Sequence, residues 1–178
     1  TLLVTGGSLG ALHVNESMTG AADALPEGAQ VVHLTGRGKD EPVRAAVEAA
    51  GCSDRWHVID YLTTMEDALA VADLVVCRSG AGTVAEMEAL GLPCIYVPLP
   101  IGNGEQRLNA ADHVAAGGAQ LIDDKDFTAD FVRSNVFPLL GSARLADMTA
   151  ASQSLGRAGA ARALADVALE QVKESGRE

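Results

Sequence analysis

Aromatic residues are scarce in this 178-residue chain: one Trp, two Tyr and three Phe make up 3% of it, although 48% of the residues are apolar. A core of ordinary size must therefore be built mostly from Ala, Val and Leu, which suits helices packed on a parallel sheet. Basic residues are also few, 13 Lys and Arg against 24 Asp and Glu, for a formal charge of −11. That balance argues against a nucleic-acid-binding surface, whose affinity comes largely from cations. No apolar run approaches the ~18 residues of a membrane span, so no membrane crossing is expected within these residues. Cys52, Cys77 and Cys94 lack a paired metal-ligand spacing and are expected to be reduced, buried thiols of a cytosolic protein. The sequence opens in a strand-like run without an initiating Met, so the natural protein is expected to extend further towards its N-terminus.

Short β-branched runs alternate with Ala-rich segments of helical period, the pattern of a Rossmann-like open parallel sheet of about six strands with helices on both faces. Strands are expected at Leu2 to Thr5, Gln30 to Leu34, His57 to Ile59, Leu74 to Cys77, Cys94 to Val97 and Gln120 to Ile122. Helices are expected near Leu9 to Ala24, Glu41 to Ala50, Met65 to Val71, Thr83 to Leu90 and Gln106 to Ala116. Beyond the last strand the pattern is helical only, at Ala129 to Leu140, Ala143 to Ser154 and Ala158 to Glu174. This tail adds no strand and must pack on the flank of the sheet or on a neighbour. One domain is the economical count.

In open parallel sheets ligands bind beyond the carboxyl ends of the strands, and four loops there have unusual content. Gly6-Gly7-Ser8-Leu9-Gly10-Ala11 follows the first strand: its glycines admit an anion close to the backbone, Ser8 can cap the next helix, and that helix start offers unpaired N–H groups. It is a plausible diphosphate seat but not the dinucleotide fingerprint, whose spacing it fails. The alternative is a tight turn with a Ser cap. Thr35-Gly36-Arg37-Gly38-Lys39-Asp40 departs from a P-loop at His33 and Asp40. It reads as a solvated turn with two cations, either of which can lean towards an anion. In Cys77-Arg78-Ser79-Gly80-Ala81-Gly82-Thr83-Val84-Ala85-Glu86 a glycine turn again opens a helix. Glu86 and Glu88 stand ~200° apart around it, so one carboxylate is a candidate for a vicinal diol such as a ribose, against simple compensation of the helix dipole. Asn103-Gly104-Glu105-Gln106-Arg107-Leu108-Asn109-Ala110 supplies carboxamides suited to sugar hydroxyls, or only a solvated loop.

Other chemistry finds little support. His13, His33, His57 and His113 have no metal spacing and read as structural or exposed. Asp124-Lys125-Asp126 matches an Asp-x-Asp metal pattern but reads as a polar turn before a helix, so neither a metal nor a cofactor is expected.

Taken together, Gly6-Gly7-Ser8-Leu9-Gly10-Ala11, Arg78-Ser79-Gly80-Ala81-Gly82-Thr83-Val84-x-Glu86, Gly91-Leu92-Pro93 and Gln106-x-x-Asn109-Ala110 resemble the C-terminal half of the MurG family over essentially the whole chain. That family moves N-acetylglucosamine from UDP-GlcNAc onto undecaprenyl-linked muramyl-pentapeptide, giving lipid II for peptidoglycan. The resemblance implies the donor-binding half of a GT-B glycosyltransferase, over residues 1–178, with a helical C-terminal tail. It assigns the diphosphate to Ser8 and the backbone around Gly7, and the ribose hydroxyls to Glu86. Ala81, Gly82 and Thr83 would line the phosphate and sugar through their backbone, Leu62 would face the uracil edge through its backbone, and Gln106 would hold sugar hydroxyls. Glu105 lies beside Gln106 where many members carry Gln or His; an acid accepts a hydrogen bond but does not donate as an amide does. Leu9 and Leu12 replace residues that are polar or basic in some relatives.

The resemblance further implies that general base and acceptor surface belong to an N-terminal domain outside this chain, which itself holds no catalytic residue, binds donor and does not turn over alone. It implies a lipid-linked acceptor reached through that domain, and a cytoplasmic protein peripheral on the inner membrane face. The alternatives are another GT-B UDP-sugar transferase, a UDP-sugar epimerase, or a non-catalytic nucleotide-binding module.

Overall fold

A computed structural model describes residues 1–7, 9–101, 103–156 and 165. Six strands, β1 (Leu2–Thr5), β2 (Val31–Leu34), β3 (Trp56–Ile59), β4 (Leu74–Cys77), β5 (Cys94–Tyr96) and β6 (Ala119–Leu121), form one sheet in the order β3-β2-β1-β4-β5-β6. Every pair is parallel, with Leu2 opposite both Val31 and Leu74, and Cys94 opposite both Val75 and Ala119. This is the doubly wound order, and its chain reversal falls between β1 and β4.

The sheet is covered on both faces, which is why β1, β4 and β5 are buried throughout. Alternate residues serve opposite layers. Leu2, Val4 and Val76 join α1 (Leu12–Thr19) and α2 (Asp40–Ala49) through Val14, Met18, Val43 and Val47. Leu3, Val75 and Cys77 join α3 (Met65–Ala70) and α4 (Ala81–Leu90) through Leu69, Val84 and Met87. Cys52, Cys77 and Cys94 are buried and free. No described helix is long and apolar enough to cross a membrane.

The six strands stand where the sequence places them to within one residue at each end, and the larger differences lie in the helices. The expected helix Leu9 to Ala24 begins only at Leu12, because Gly7 and Gly10 have φ of 80° and 69° and close a turn through Gly10 N–H to the Gly7 carbonyl at 2.9 Å. It stops at Thr19, and Ala22–Ala24 is a separate 3-10 turn. The segment Gln106 to Ala116 divides into α5 (Glu105–Asn109) and α6 (Ala111–Ala115). Ala129 to Leu140 is a short α turn, α7 (Ala129–Phe131), then a π turn Val132–Val136 and a 3-10 turn Phe137–Leu139, where Pro138 has no N–H to continue a helix. α8 (Ala143–Leu155) packs beside α4: Leu145 and Met148 enter one apolar layer while Ser152 bonds to His113 of α6 at 2.8 Å. The tail thus packs on the sheet through Phe127, Val132, Val136, Phe137 and Leu139. The expected helix Ala158 to Glu174 lies, except for the helical Ala165, outside the described residues.

Two buried histidines lock the layers as neutral imidazoles. His33 Nε2–H donates to Asn15 Oδ1 (3.0 Å) and Nδ1 accepts from the Trp56 indole (3.3 Å), since the Asn15 amide already donates to the Thr35 carbonyl. Burial pushes the His33 pKa down to about 3. His113 repeats the arrangement in the other layer: Nδ1 accepts from Tyr96 OH (2.9 Å), and Ser152, which donates to the Gly118 carbonyl, accepts from Nε2–H. Burial lowers its pKa as well. His57 is exposed and His13 half-buried.

Candidate functional site

Beyond the carboxyl ends of β1 to β4 the loops enclose a cavity of about 410 Å³. Its walls carry Gly7 from the loop after β1, Gly36 after β2, Tyr61 and Leu62 after β3, Arg78 and Gly80 after β4, Thr83 and Glu86 from α4, and Gln106 from α5. Five of the nine residues singled out from sequence therefore share one space: Gly7, Leu62, Thr83, Glu86 and Gln106. Ala81 and Gly82 are exposed on the first turn of α4 beside it. A larger cavity of about 720 Å³ opens at the opposite, amino end of the sheet around Thr1, Leu90 and Ser142, remote from every glycine loop at the carboxyl edge.

The remaining two stand apart. Glu105 opens α5 and faces a neighbouring space of about 460 Å³, with Pro98, Asn103 and Arg107; among the described residues predicted from sequence, only Gln106 borders both cavities. Ser8 lies outside the described residues, and the N-cap position of α1 is taken by Ala11, three residues on, whose side chain offers no cap. Gln106 accepts from the Leu99 N–H at 2.9 Å, which turns its NH₂ to other partners.

α4 gives the cavity its electrostatic character. Gly80 takes the N-cap position, no side chain caps the helix, and the first turn holds no acid. The N–H groups of Ala81, Gly82 and Thr83 thus lack intrahelical acceptors, and the helix carries about half a positive charge at this end. Ten residues later the helix is stopped by Gly91 at φ 66°, with Gly91 N–H bonded to Glu88 and Leu92 N–H to Met87 before Pro93. Glu86, one and a half turns in, reaches the cavity; Glu88 does not line it. On the cavity wall the free Cys77 thiol is pushed towards its protonated form by a hydrogen bond with the Cys94 thiol and by burial.

Sequence reasoning missed one constellation. Asp124, weighed as a metal ligand, instead pairs with the Arg78 guanidinium and lies 3.0 Å from His13 Nδ1. Arg78 also donates to the Val97 and Pro98 carbonyls, 3.0 Å each, and so ties together the loops after β4, β5 and β6. Asn109 adds a bond from its amide to the Ser79 carbonyl (3.0 Å). Nothing local marks Arg78 and Asp124 as partners; the legible signal is that a cation and a carboxylate each follow a strand of one parallel sheet.

Comparison with known proteins agrees with this fold. The profile of the glycosyltransferase family 28 C-terminal domain matches residues 1–165. A protein of Paenarthrobacter aurescens named UDP-N-acetylglucosamine--N-acetylmuramyl-(pentapeptide) pyrophosphoryl-undecaprenol N-acetylglucosamine transferase is 46% identical over 173 residues, 96% of this chain and 46% of its own. The protein of the same name from Mycolicibacterium smegmatis is 49% identical over 171 residues, 95% of this chain and 44% of its own. The crystal structure of Acinetobacter baumannii MurG superposes with a TM-score of 0.83 at 28% identity, covering 93% of this chain and 48% of that one. The chain spans about half the length of the relatives it matches. It belongs to the glycosyltransferase family 28 C-terminal domain family.

Proposed function

We propose that this chain is the donor-binding half of an inverting N-acetylglucosaminyltransferase that takes UDP-GlcNAc and, with an N-terminal domain, glycosylates an undecaprenyl-pyrophosphoryl muramyl-pentapeptide. The observation that carries this reading is the convergence of Gly7, Leu62, Thr83, Glu86 and Gln106 on one cavity at the switch point of the sheet. The names borne by the relatives support this donor and acceptor.

In this reading the uracil edge meets the Leu62 backbone, the ribose hydroxyls bond to Glu86, the diphosphate rests on the Gly7 turn with Ser8 and on the first turn of α4, and Gln106 holds the sugar. When the acceptor hydroxyl attacks the anomeric carbon, UDP departs with growing negative charge. The uncapped amino ends of α1 and α4 stabilise that charge with dipoles already in place, so little reorganisation is needed at the moment of reaction. Glu105 sits where it reaches the far side of the sugar or none of it. The whole protein works in the cytoplasm, peripheral to the inner membrane face, where its lipid-linked acceptor lies.

Calorimetric titration of UDP-GlcNAc, UDP-glucose and NAD into the chain tests the proposal. UDP-GlcNAc is expected to bind best, and Glu86→Ala to weaken it by at least about tenfold. Equal binding of UDP-glucose would point to another UDP-sugar enzyme, and preference for NAD would end the reading. The chain alone is expected to bind without turnover; transferase activity from it would refute the division of labour between two domains.

A further inference from the structure

Resting on the donor-site reading above, we propose that the loop between β2 and α2 is a two-armed brace, in which Lys39 positions the diphosphate turn after β1 and Arg37 positions Tyr61 on the base side. β2 lies between β1 and β3 in the sheet, so its loop lies between the two loops that would hold the opposite ends of the nucleotide. In a chain of net charge −11 this loop carries two cations, and each is committed to a different neighbour. The Lys39 ammonium donates to the Leu9 carbonyl at 2.6 Å. The Arg37 guanidinium lies over the Tyr61 ring, 4.0 Å from its centre.

The turn after β1 needs such an anchor. Its one large side chain, Leu9, is 82% exposed and grips nothing, and α1 has no side-chain cap. Among the described residues, what holds it besides Lys39 is Gly10 N–H on the Gly7 carbonyl, Gly7 N–H on Thr5 Oγ1 at 3.3 Å, and a backbone-to-backbone nesting against the β2 loop. That nesting is tight: a Cβ on Gly10 would stand 2.0 Å from the Thr35 carbonyl oxygen, and one on Gly36 would stand 2.5 Å from Gly10 N. Gly7, Gly36 and Tyr61 then line the same cavity from three successive loops. Tyr61 is 40% exposed at its rim, where a cation over one face holds the ring upright as a wall.

The brace predicts that the two arms separate by ligand. Titrations with UDP and with uridine, followed by ligand-observed NMR, are made on the wild-type chain and on Lys39→Met, Lys39→Arg and Arg37→Gln, with urea midpoints to verify folding. Lys39→Met is expected to weaken UDP about tenfold while uridine stays within about twofold, and Lys39→Arg to recover most of the loss. Arg37→Gln is expected to weaken UDP and uridine by the same factor, about threefold. Unchanged UDP affinity in Lys39→Met, an equal loss of uridine there, or uridine binding untouched by Arg37→Gln would overturn the brace while leaving the donor site standing. Absence of UDP binding by the wild-type chain would overturn the donor-site reading and the brace with it.

Discussion

Arg78 and Asp124, 46 positions apart in the chain, form an ion pair at the carboxyl edge of the sheet, and both side chains are about 15% exposed. Because the same guanidinium nitrogen also serves the Val97 and Pro98 carbonyls, one side chain fixes three loops that border the two neighbouring cavities. Arg78→Met would leave the Asp124 carboxylate with His13 as its remaining partner and free two carbonyls. The expected cost is about 2–3 kcal/mol, below that of breaking a fully buried pair. Urea denaturation measures it, and a loss under about 0.5 kcal/mol would show that the pair behaves like an exposed one. Weaker UDP binding should accompany the loss, since Arg78 stands in the wall of the Glu86 cavity.

The buried His33 makes stability depend on pH near neutrality. Its folded pKa of about 3 lies below the ~6.5 of an unfolded histidine. Between these values the unfolded chain binds a proton that the folded chain refuses, so stability is complete above the unfolded value and falls as the medium is acidified. From pH 7.5 to 5.5 the loss from this residue is about 1.4 kcal/mol. His113, also lowered by burial, acts in the same direction. Urea midpoints at the two pH values measure the sum, and in His33→Gln the His33 share should vanish. A pH-independent wild-type midpoint would contradict the neutral buried imidazole.

Glu86 is assigned to a pair of ribose hydroxyls, and that role has a signature distinct from general charge. The wild-type chain should bind UDP more tightly than 2′-deoxy-UDP by about tenfold, the worth of a hydrogen bond to a charged group. In Glu86→Ala the two nucleotides should bind alike. Retention of the difference in the variant would move ribose recognition to another residue.

Gly10 and Gly38 both have positive φ, 69° and 70°, yet only Gly10 is crowded. An Ala at either position meets the left-handed backbone cost of about 1 kcal/mol. At Gly38 nothing lies within 4 Å of the new methyl, so Gly38→Ala should cost little more. At Gly10 the methyl would meet the Thr35 carbonyl oxygen, and Gly10→Ala should cost more than about 3 kcal/mol or prevent folding. Equal thermal stability of the two variants would show that the two loops do not nest.

The order and type of the elements are written in the sequence, because apolar runs of four and helix-period segments report burial locally. The doubly covered strands at Leu2–Thr5 and Leu74–Cys77 and the stop of α4 at Gly91-Leu92-Pro93 follow from such patterns, whereas the choice of the tail between the sheet flank and a neighbour did not. The glycine loops were equally legible, since a backbone that needs positive φ leaves its mark in composition. Which loops become neighbours was not legible. That follows from the order β3-β2-β1-β4-β5-β6, which lays Thr5 beside Cys77 and brings Gly7 to Glu86, although no local preference in either segment names the other. The same long-range placement gave Glu105 and Glu86 separate cavities, and joined Arg78 to Asp124 and Lys39 to Leu9. Secondary structure is set by interactions within a few residues, whereas a binding site is set by strand order, which is decided by the burial of the whole sheet at once.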